Sequence, residues 1–261
     1  GIADPLWSRG LGDVYKRQVE RRHRSMNELW NHTRLSEKEM DFLWSAISEE
    51  NKKNISNTLA GNISKSEQLK DKDNWFYEKV LKKHTEKMFY RNWDNFSKYH
   101  IDEERPLPEF ELYSFWVNYM KQHEFNPLHN HSGFLYSFVV FMKIPTHWKE
   151  QHALPISANS NSPCASDFVF VLTQKDNKNA VVFNFPLSPE DEGRMLFFPA
   201  TLQHMVYPFY ECEEERITIS GNIFFVDPNR PKMQEISVSK YEKAKKKLKL
   251  MENDVQEFKK E

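Results

Sequence analysis

Hydrophobic residues recur at helical spacing in the first part of the chain. Between residues 26 and 100 the apolar positions lie three and four apart, as in the set Met40, Leu43, Trp44 and Ile47. Ser36 precedes this set and Glu39 follows three residues later, which is the pattern of a capping box at a helix start. A second helix is predicted over residues 75–89, and residues 59–62 are predicted to form a loop.

From about residue 110 onward the pattern changes to short runs rich in β-branched and aromatic residues. The run at residues 135–144 is apolar at almost every position, which is typical of a strand buried on both faces. Further strands are predicted at residues 111–119, 168–172, 181–185, 196–198 and 217–226. Because these runs are short and few helices separate them, the core is predicted to be an antiparallel sandwich or jelly roll.

The two ends of the chain differ from this core. Residues 237–261 return to helical spacing, with an apolar stripe on a lysine-rich helix at Tyr241, Ala244, Leu248, Met251, Val255 and Phe258. This helix can pack on its own domain or form a homodimer through residues 238–258. The segment at residues 13–18 looks like the translated end of a sequencing-library transposon, so we set the start aside.

We therefore expect four regions along the chain. Residues 1–25 are an artefactual or disordered leader, and residues 26–109 are an N-terminal helical region packed on the core. Residues 110–230 form the jelly-roll core, and residues 231–261 form the C-terminal amphipathic helix.

Composition and charge exclude several classes of function. The net charge of -1 gives no general case for binding nucleic acid or a membrane surface. Neither of the glycine-rich phosphate-binding motifs is present, which argues against a nucleotide site. No run approaches the roughly 20 apolar residues that span a bilayer. Two cysteines, Cys164 and Cys212, are too few for a disulfide scaffold, so we expect the cytoplasm of a bacterium or of a phage-infected host.

Three histidines form the candidate metal site. His129 and His131 directly precede the apolar run at 135–144, and side chains two apart in an extended chain point the same way. His204 follows Pro199 after the predicted strand at 196–198. Imidazole binds iron, zinc, copper and nickel, so three converging histidines would make a metal site with open positions. The chain has 10 histidines, so the pair alone also fits ordinary surface or packing residues.

Arg216 is the candidate anion-binding residue. It lies 12 residues after His204, and on a strand it shares one face with Thr218, Ser220 and Asn222. A buried guanidinium needs an anionic partner, and its planar fork matches a carboxylate. The alternative is an edge-strand arginine that pairs with Glu213, Glu214 or Glu215.

In this order, His129-x-His131, His204 and Arg216-x-Thr218 resemble the iron- and 2-oxoglutarate-dependent oxygenase superfamily. The chain looks most like a small family of such oxygenases from marine phages and bacteria. The resemblance spans residues 26–226 and is carried by the segments 59–64, 126–133, 196–204 and 215–222. It implies a double-stranded β-helix with helices packed outside, iron(II) on the three histidines, and 2-oxoglutarate on Arg216 and Thr218. Asn118 and Ser137 are expected to line the co-substrate pocket.

The same resemblance implies a dioxygenase, expected to be a hydroxylase. Such an enzyme uses O2 and couples decarboxylation of 2-oxoglutarate to succinate with oxidation of a substrate that the sequence does not identify. The chain departs from the superfamily at His131, where an aspartate or glutamate is usual. Three outcomes remain open: His131 ligates the metal, it swings aside and leaves the position to water, or the assigned register is wrong.

Two other classes remain open. A cupin-type dioxygenase shares the jelly roll and a three-histidine metal, and Gly193, Pro199 and His204 match its second motif in part. It requires a glutamate near Leu135 and Tyr136 that this chain lacks, and it has no role for Arg216. A non-enzymatic jelly-roll binding module, such as a virion component, predicts neither metal nor turnover.

Overall fold

Ten β-strands form the framework of the described chain, which comprises residues 29–91, 108–173 and 180–226 of a computed structural model. The predictions for the leader and for residues 231–261 lie outside these ranges. The strands are β1 (Asn31–Arg34), β2 (Lys65–Gln68), β3 (Phe110–Met120), β4 (Asn126–His129), β5 (Tyr136–Lys143), β6 (Phe168–Thr173), β7 (Ala180–Phe185), β8 (Arg194–Pro199), β9 (Gln203–Val206) and β10 (Arg216–Phe225).

The strands form two antiparallel sheets that face each other. The larger sheet has the order β1-β8-β5-β10-β3-β2, and the smaller has the order β4-β9-β6-β7. From β3 to β10 the chain passes back and forth between the sheets, so each sheet receives four strands of one continuous winding. This topology is the double-stranded β-helix, and it confirms the predicted jelly roll.

Strand β5 shows why the predicted run at 135–144 is apolar throughout. Phe138, Val140 and Met142 point to a core on the outer face of the larger sheet. Val139 and Phe141 point to the opposite side, into the core between the two sheets. Because both faces are buried, the residues show no polar alternation.

Two helical segments cover the outer face of the larger sheet. Helix α1 (Glu37–Ser48) begins where the capping box predicts, with the Glu39 carboxylate accepting a hydrogen bond from the Ser36 N–H at 2.7 Å. Helix α2 (Lys82–Arg91) continues a wider turn at Tyr77–Leu81. Their buried side chains, including Leu43, Phe76, Leu81 and Phe89, pack on the sheet.

The prediction of a helical N-terminal region with a loop at residues 59–62 needs a correction, because the region also contains strands. Strands β1 and β2 lie within it and form the two edges of the larger sheet. Each is only 4 residues long and carries few β-branched residues, so its sequence does not distinguish it from a loop. Residues 59–62, predicted as a loop, lie in irregular backbone between α1 and β2.

Two short helices in the connection between β5 and β6 were also missed, α3 (Trp148–Ala153) and α4 (Pro155–Ala158). No helix in the described ranges is long and apolar enough to cross a membrane. Both cysteines are free thiols, as expected.

Gly221 allows the three central strands of the larger sheet to pack closely. A Cβ at this position would lie 2.5 Å from the Ser114 carbonyl oxygen on β3 and 2.6 Å from the Phe138 ring on β5. We expect Gly221→Ala to lower the free energy of unfolding by about 1–3 kcal/mol, because the neighbouring backbone must shift. Urea denaturation measures this, with Ser220→Ala as a control that adds no Cβ. Equal stability of the wild type and Gly221→Ala would contradict the close packing.

Candidate metal and co-substrate site

His129 and His204 lie directly opposite each other in the smaller sheet. His129 ends β4 and His204 lies on β9, and the two residues are register partners. Their ring centroids are 4.3 Å apart. The ladder between β4 and β9 therefore places both imidazoles at the same level of the barrel.

Backbone carbonyls orient both of these rings. Nδ1 of His129 lies 2.7 Å from the Pro127 carbonyl oxygen, and Nδ1 of His204 lies 2.9 Å from the Leu202 carbonyl oxygen. A carbonyl can only accept, so each Nδ1 carries the proton and each Nε2 keeps a lone pair. Histidine ligands of metal ions commonly have this arrangement, in which the outer hydrogen bond fixes the tautomer.

His131 completes the cluster from the loop after β4. Its backbone N–H donates to the Ala200 carbonyl, which follows β8, at 2.8 Å. Its ring centroid lies 5.1 Å from that of His129 and 5.2 Å from that of His204. One potential ligand atom of each of the three residues lies within 4.8 Å of the others.

Burial keeps the three imidazoles neutral. It lowers the pKa of His131 to about 4 and that of His204 to about 3, and it also lowers the pKa of His129. A positive charge on His129 would further disfavour protonation of the other two rings. At neutral pH all three residues are therefore in the form that binds a metal ion.

The cluster fits a metal ion in donor type and size. Ligand nitrogens on one face of an ion, at bond lengths of about 2.1 Å, lie about 3 Å apart. Nitrogen atoms within 4.8 Å of one another reach that spacing with small rotations of the side chains. Three nitrogen donors on one side of an ion leave its other positions open to small oxygen ligands.

Arg216 lies in the same cavity as the three histidines. It is the first residue of β10 and is only 1% exposed. Its Nη2 donates to the Ser166 hydroxyl, whereas its buried Nε and Nη1 have no hydrogen-bond partner. Burial lowers the pKa of Arg216 to about 10, so the guanidinium stays charged at neutral pH.

The unpaired donors of Arg216 fit a carboxylate. Arg216 has no ion pair within 4 Å among the described residues, so the alternative of pairing with Glu213, Glu214 or Glu215 is wrong. A buried cation with two unsatisfied N–H groups is costly unless an anion joins it. A cavity that holds this group beside neutral histidines fits a ligand that has a carboxylate at one end and metal-binding oxygens at the other.

The other predicted pocket residues separate into two groups. Thr218 and Asn118 line the cavity, and they are register partners on β10 and β3. The Asn118 side-chain oxygen accepts from the Ser66 hydroxyl at 2.8 Å, which leaves the amide N–H groups of Asn118 available.

Ser137 does not line the cavity, so its predicted place needs a correction. Its hydroxyl donates to the Asn222 side-chain oxygen at 2.7 Å, and the Asn222 amide donates to Ser114 at 2.9 Å. These bonds join β5, β10 and β3. Val139 and Phe141, which line the cavity, lie opposite Ser220 and Thr218, whereas Ser137 lies opposite Asn222 and is therefore displaced along β5 from the cavity.

Several site residues carry no motif in the sequence. Ser166 contacts Arg216, and the adjacent Asp167 accepts hydrogen bonds from His152 and Asn184 at 2.8 and 3.0 Å. His152 lies in no motif of the sequence, yet its ring contacts this buried carboxylate. The only available signal was a serine and an aspartate directly before an apolar strand, which is common at strand starts.

The fold and the histidine cluster together define a jelly-roll protein with a candidate metal centre. Residues 114–222 match the family model described as "Putative 2OG-Fe(II) oxygenase". The match spans less than half of the chain, but it contains His129, His131, His204 and Arg216. The part of the chain that carries the candidate site is therefore similar to 2-oxoglutarate- and iron(II)-dependent oxygenases, the class that the sequence predicted.

Solved structures of low identity are similar to the chain. A prolyl-4-hydroxylase from Pseudomonas putida is 12% identical over 76% of this chain and 93% of that chain, with a TM-score of 0.42. The alpha ketoglutarate dependent carbocyclase SnoK from nogalamycin biosynthesis is 12% identical over 83% and 88%, with a TM-score of 0.49. HygX from Streptomyces hygroscopicus, with nickel and 2-oxoglutarate bound, is 8% identical over 75% and 82%, with a TM-score of 0.40. No curated protein sequence matches the chain.

Proposed function

We propose that the protein is a hydroxylase that holds iron(II) on His129, His131 and His204 and binds 2-oxoglutarate through Arg216 and Thr218. One observation carries this proposal. Three neutral imidazoles and a buried guanidinium with two unpaired donors lie in one cavity. A metal-chelating ligand with a distant carboxylate satisfies both groups at once.

When bound, iron and 2-oxoglutarate supply the oxidising chemistry: one atom of O2 enters succinate as carbon dioxide leaves, and the other enters a C–H bond of the substrate. The chain's own residues bind the metal ion and 2-oxoglutarate and orient them. The guanidinium of Arg216 pairs with the carboxylate of 2-oxoglutarate that lies far from the metal, and the Thr218 hydroxyl donates a further hydrogen bond. This fixed far end holds the 2-oxo acid group towards the histidines.

Aromatic residues exclude water from this region. His204 packs between Phe168 and Phe198, with ring centroids at 5.9 and 5.0 Å. On the opposite side Trp116 contacts His131, with centroids 6.0 Å apart. An apolar wall strengthens the interaction between Arg216 and a carboxylate, because little water competes for either group.

The test is an anaerobic titration of the purified protein with iron(II) and then with 2-oxoglutarate, recorded as a visible spectrum. The chelate of iron(II) by 2-oxoglutarate gives a weak charge-transfer band, and we expect this band to appear and to saturate. If iron binds but no band forms, the site is closer to the cupin type. If neither ligand binds, the histidines are structural and the proposal is wrong.

The variant His131→Asp tests the third ligand in the same assay. It restores the carboxylate that is usual in the superfamily, so we expect iron(II) binding and the band to persist. His131→Ala is expected to weaken iron(II) binding, because it removes one of three donors. Equal iron affinity of the wild type and His131→Ala would show that His131 is not a ligand.

A further inference from the structure

Ser166 has an unusual backbone conformation, and its side chain contacts Arg216, the residue proposed to bind the co-substrate. It is fully buried, it lies two residues before β6, and its φ is 75°. Residues with a side chain rarely adopt this left-handed conformation, and they keep it only where the surroundings determine it. The backbone N–H of Ser166 donates to the Pro208 carbonyl at 2.9 Å, which fixes the residue between two loops.

This conformation directs the Ser166 hydroxyl at Arg216. The hydroxyl oxygen accepts a hydrogen bond from Nη2 of Arg216, and it lies 3.3 Å from the Thr146 hydroxyl. A guanidinium can only donate, so the Ser166 hydroxyl accepts from Arg216, whereas either hydroxyl can be the donor in the hydrogen bond between Ser166 and Thr146. The hydroxyls form a short chain of hydrogen bonds that ends on one nitrogen of the arginine.

A contact with an aromatic ring and the charge of a nearby buried carboxylate also act on the same guanidinium. The Phe209 ring lies with its centroid 5.0 Å from Cζ of Arg216, in the geometry of a cation–π contact. Asp167, the neighbour of Ser166, is fully buried and is held by His152 and Asn184. Ser166 and Phe209 therefore hold the guanidinium, while Nε and Nη1 remain without partners.

We infer that Ser166 is a positioning residue for the co-substrate, because its hydroxyl holds the Arg216 guanidinium in the orientation that receives the far carboxylate of a 2-oxo dicarboxylic acid. This inference rests on the proposed function. A guanidinium that is already oriented loses less conformational freedom when the ligand binds, so the hydroxyl raises affinity without touching the ligand. The effect must be specific for ligands that possess the second carboxylate.

The experiment compares Ser166→Ala and Ser166→Gly with the wild type. Both variants lack the hydroxyl, but only glycine also relieves the left-handed backbone. The probes are 2-oxoglutarate and 2-oxopentanoate, which has a methyl group in place of the far carboxylate. Isothermal titration calorimetry on the iron(II)-loaded protein without oxygen measures both dissociation constants.

We expect the dissociation constant for 2-oxoglutarate to rise about tenfold in both variants, as for the loss of one buried hydrogen bond to a charged group. The constant for 2-oxopentanoate and the affinity for iron(II) stay within about twofold, since neither involves Arg216. In turnover the change falls on KM for 2-oxoglutarate rather than on kcat.

Other results overturn the inference. An equal loss of affinity for both 2-oxo acids would show a general structural role. A loss in Ser166→Ala that Ser166→Gly does not share would assign the effect to the backbone. If the wild type does not prefer 2-oxoglutarate, the proposed function and the inference both fail. If it does, and Arg216→Met loses that preference while both Ser166 variants keep it, only the inference fails.

Discussion

Replacing His204 by alanine is expected to lower the affinity for iron(II) at least about 100-fold and to abolish turnover. His204 is 5% exposed and its Nδ1 is held by the Leu202 carbonyl, so its Nε2 is a fixed donor. The alanine variant leaves a gap lined by Phe168 and Phe198, and these rings offer no replacement ligand. The loss therefore removes one of three donors and a large part of the preorganisation of the site.

The measurement is metal content after equilibrium dialysis against a series of iron(II) concentrations without oxygen. His32→Ala is a matched control, because His32 is an exposed histidine on β1 at the far edge of the larger sheet. The control is expected to bind iron as the wild type does. Iron affinity of His204→Ala within about threefold of the wild type would remove His204 from the metal site.

Replacing Arg216 by methionine is expected to weaken 2-oxoglutarate binding by about 100- to 1000-fold, as for the loss of two hydrogen bonds between charged groups. Methionine has a similar length and no charge, so the cavity keeps most of its shape. Without 2-oxoglutarate the free energy of unfolding is expected to stay equal or to rise, because the exchange removes a buried cation that lacks an ion pair within 4 Å among the described residues. Loss of binding without loss of stability distinguishes a ligand-binding role from a structural one.

Thermal unfolding with increasing 2-oxoglutarate measures both quantities. A ligand that binds only the folded protein raises the unfolding temperature with its concentration, and Arg216→Met is expected to lose this rise. Arg194→Met is the control, because it replaces arginine by methionine at the surface. There Arg194 pairs with Asp191 at 2.9 Å. If Arg216→Met unfolds at a temperature far below that of the wild type, and 2-oxoglutarate still raises that temperature, then Arg216 has a structural role and not a ligand-binding role.

Several strands could be predicted from the sequence because the pattern of apolar residues along them reflects which faces of the strand are buried. The run that becomes β5 is apolar on both faces, and the runs that become β3, β6, β8 and β10 were located to within one or two residues. The capping box at Ser36 and Glu39 marked the start of α1. In these elements the local pattern and the tertiary environment favour the same structure.

The two strands that carry metal ligands were not predicted. Strands β4 and β9 have 4 residues each, and β4 contains Pro127, which disfavours a strand in sequence-based analysis. Both strands exist because they pair with each other and β9 pairs with β6. The histidines could be recognised from their spacing, but their opposition across a ladder follows from pairing between distant segments.

The contacts of Arg216 show a similar limit. The sequence predicted a buried arginine that needs an anion, and it predicted that Ser137 lines the co-substrate pocket. The structure places Ser137 away from the cavity along β5, and the left-handed backbone at Ser166 accompanies the contact of its hydroxyl with Arg216. Both are consequences of how loops and strands fit together, which local patterns do not encode.

The opposition of His129 and His204 links metal binding to correct strand pairing. A slip of β4 by one residue against β9 would turn the His129 side chain to the other face of the smaller sheet and separate the two nitrogen donors. A molecule with that error can be compact and can have the same helix content as the native protein, yet it cannot chelate a metal ion. The fraction of a purified sample that takes up iron stoichiometrically therefore counts the correctly assembled barrels, and it serves as a quality control before any substrate is known.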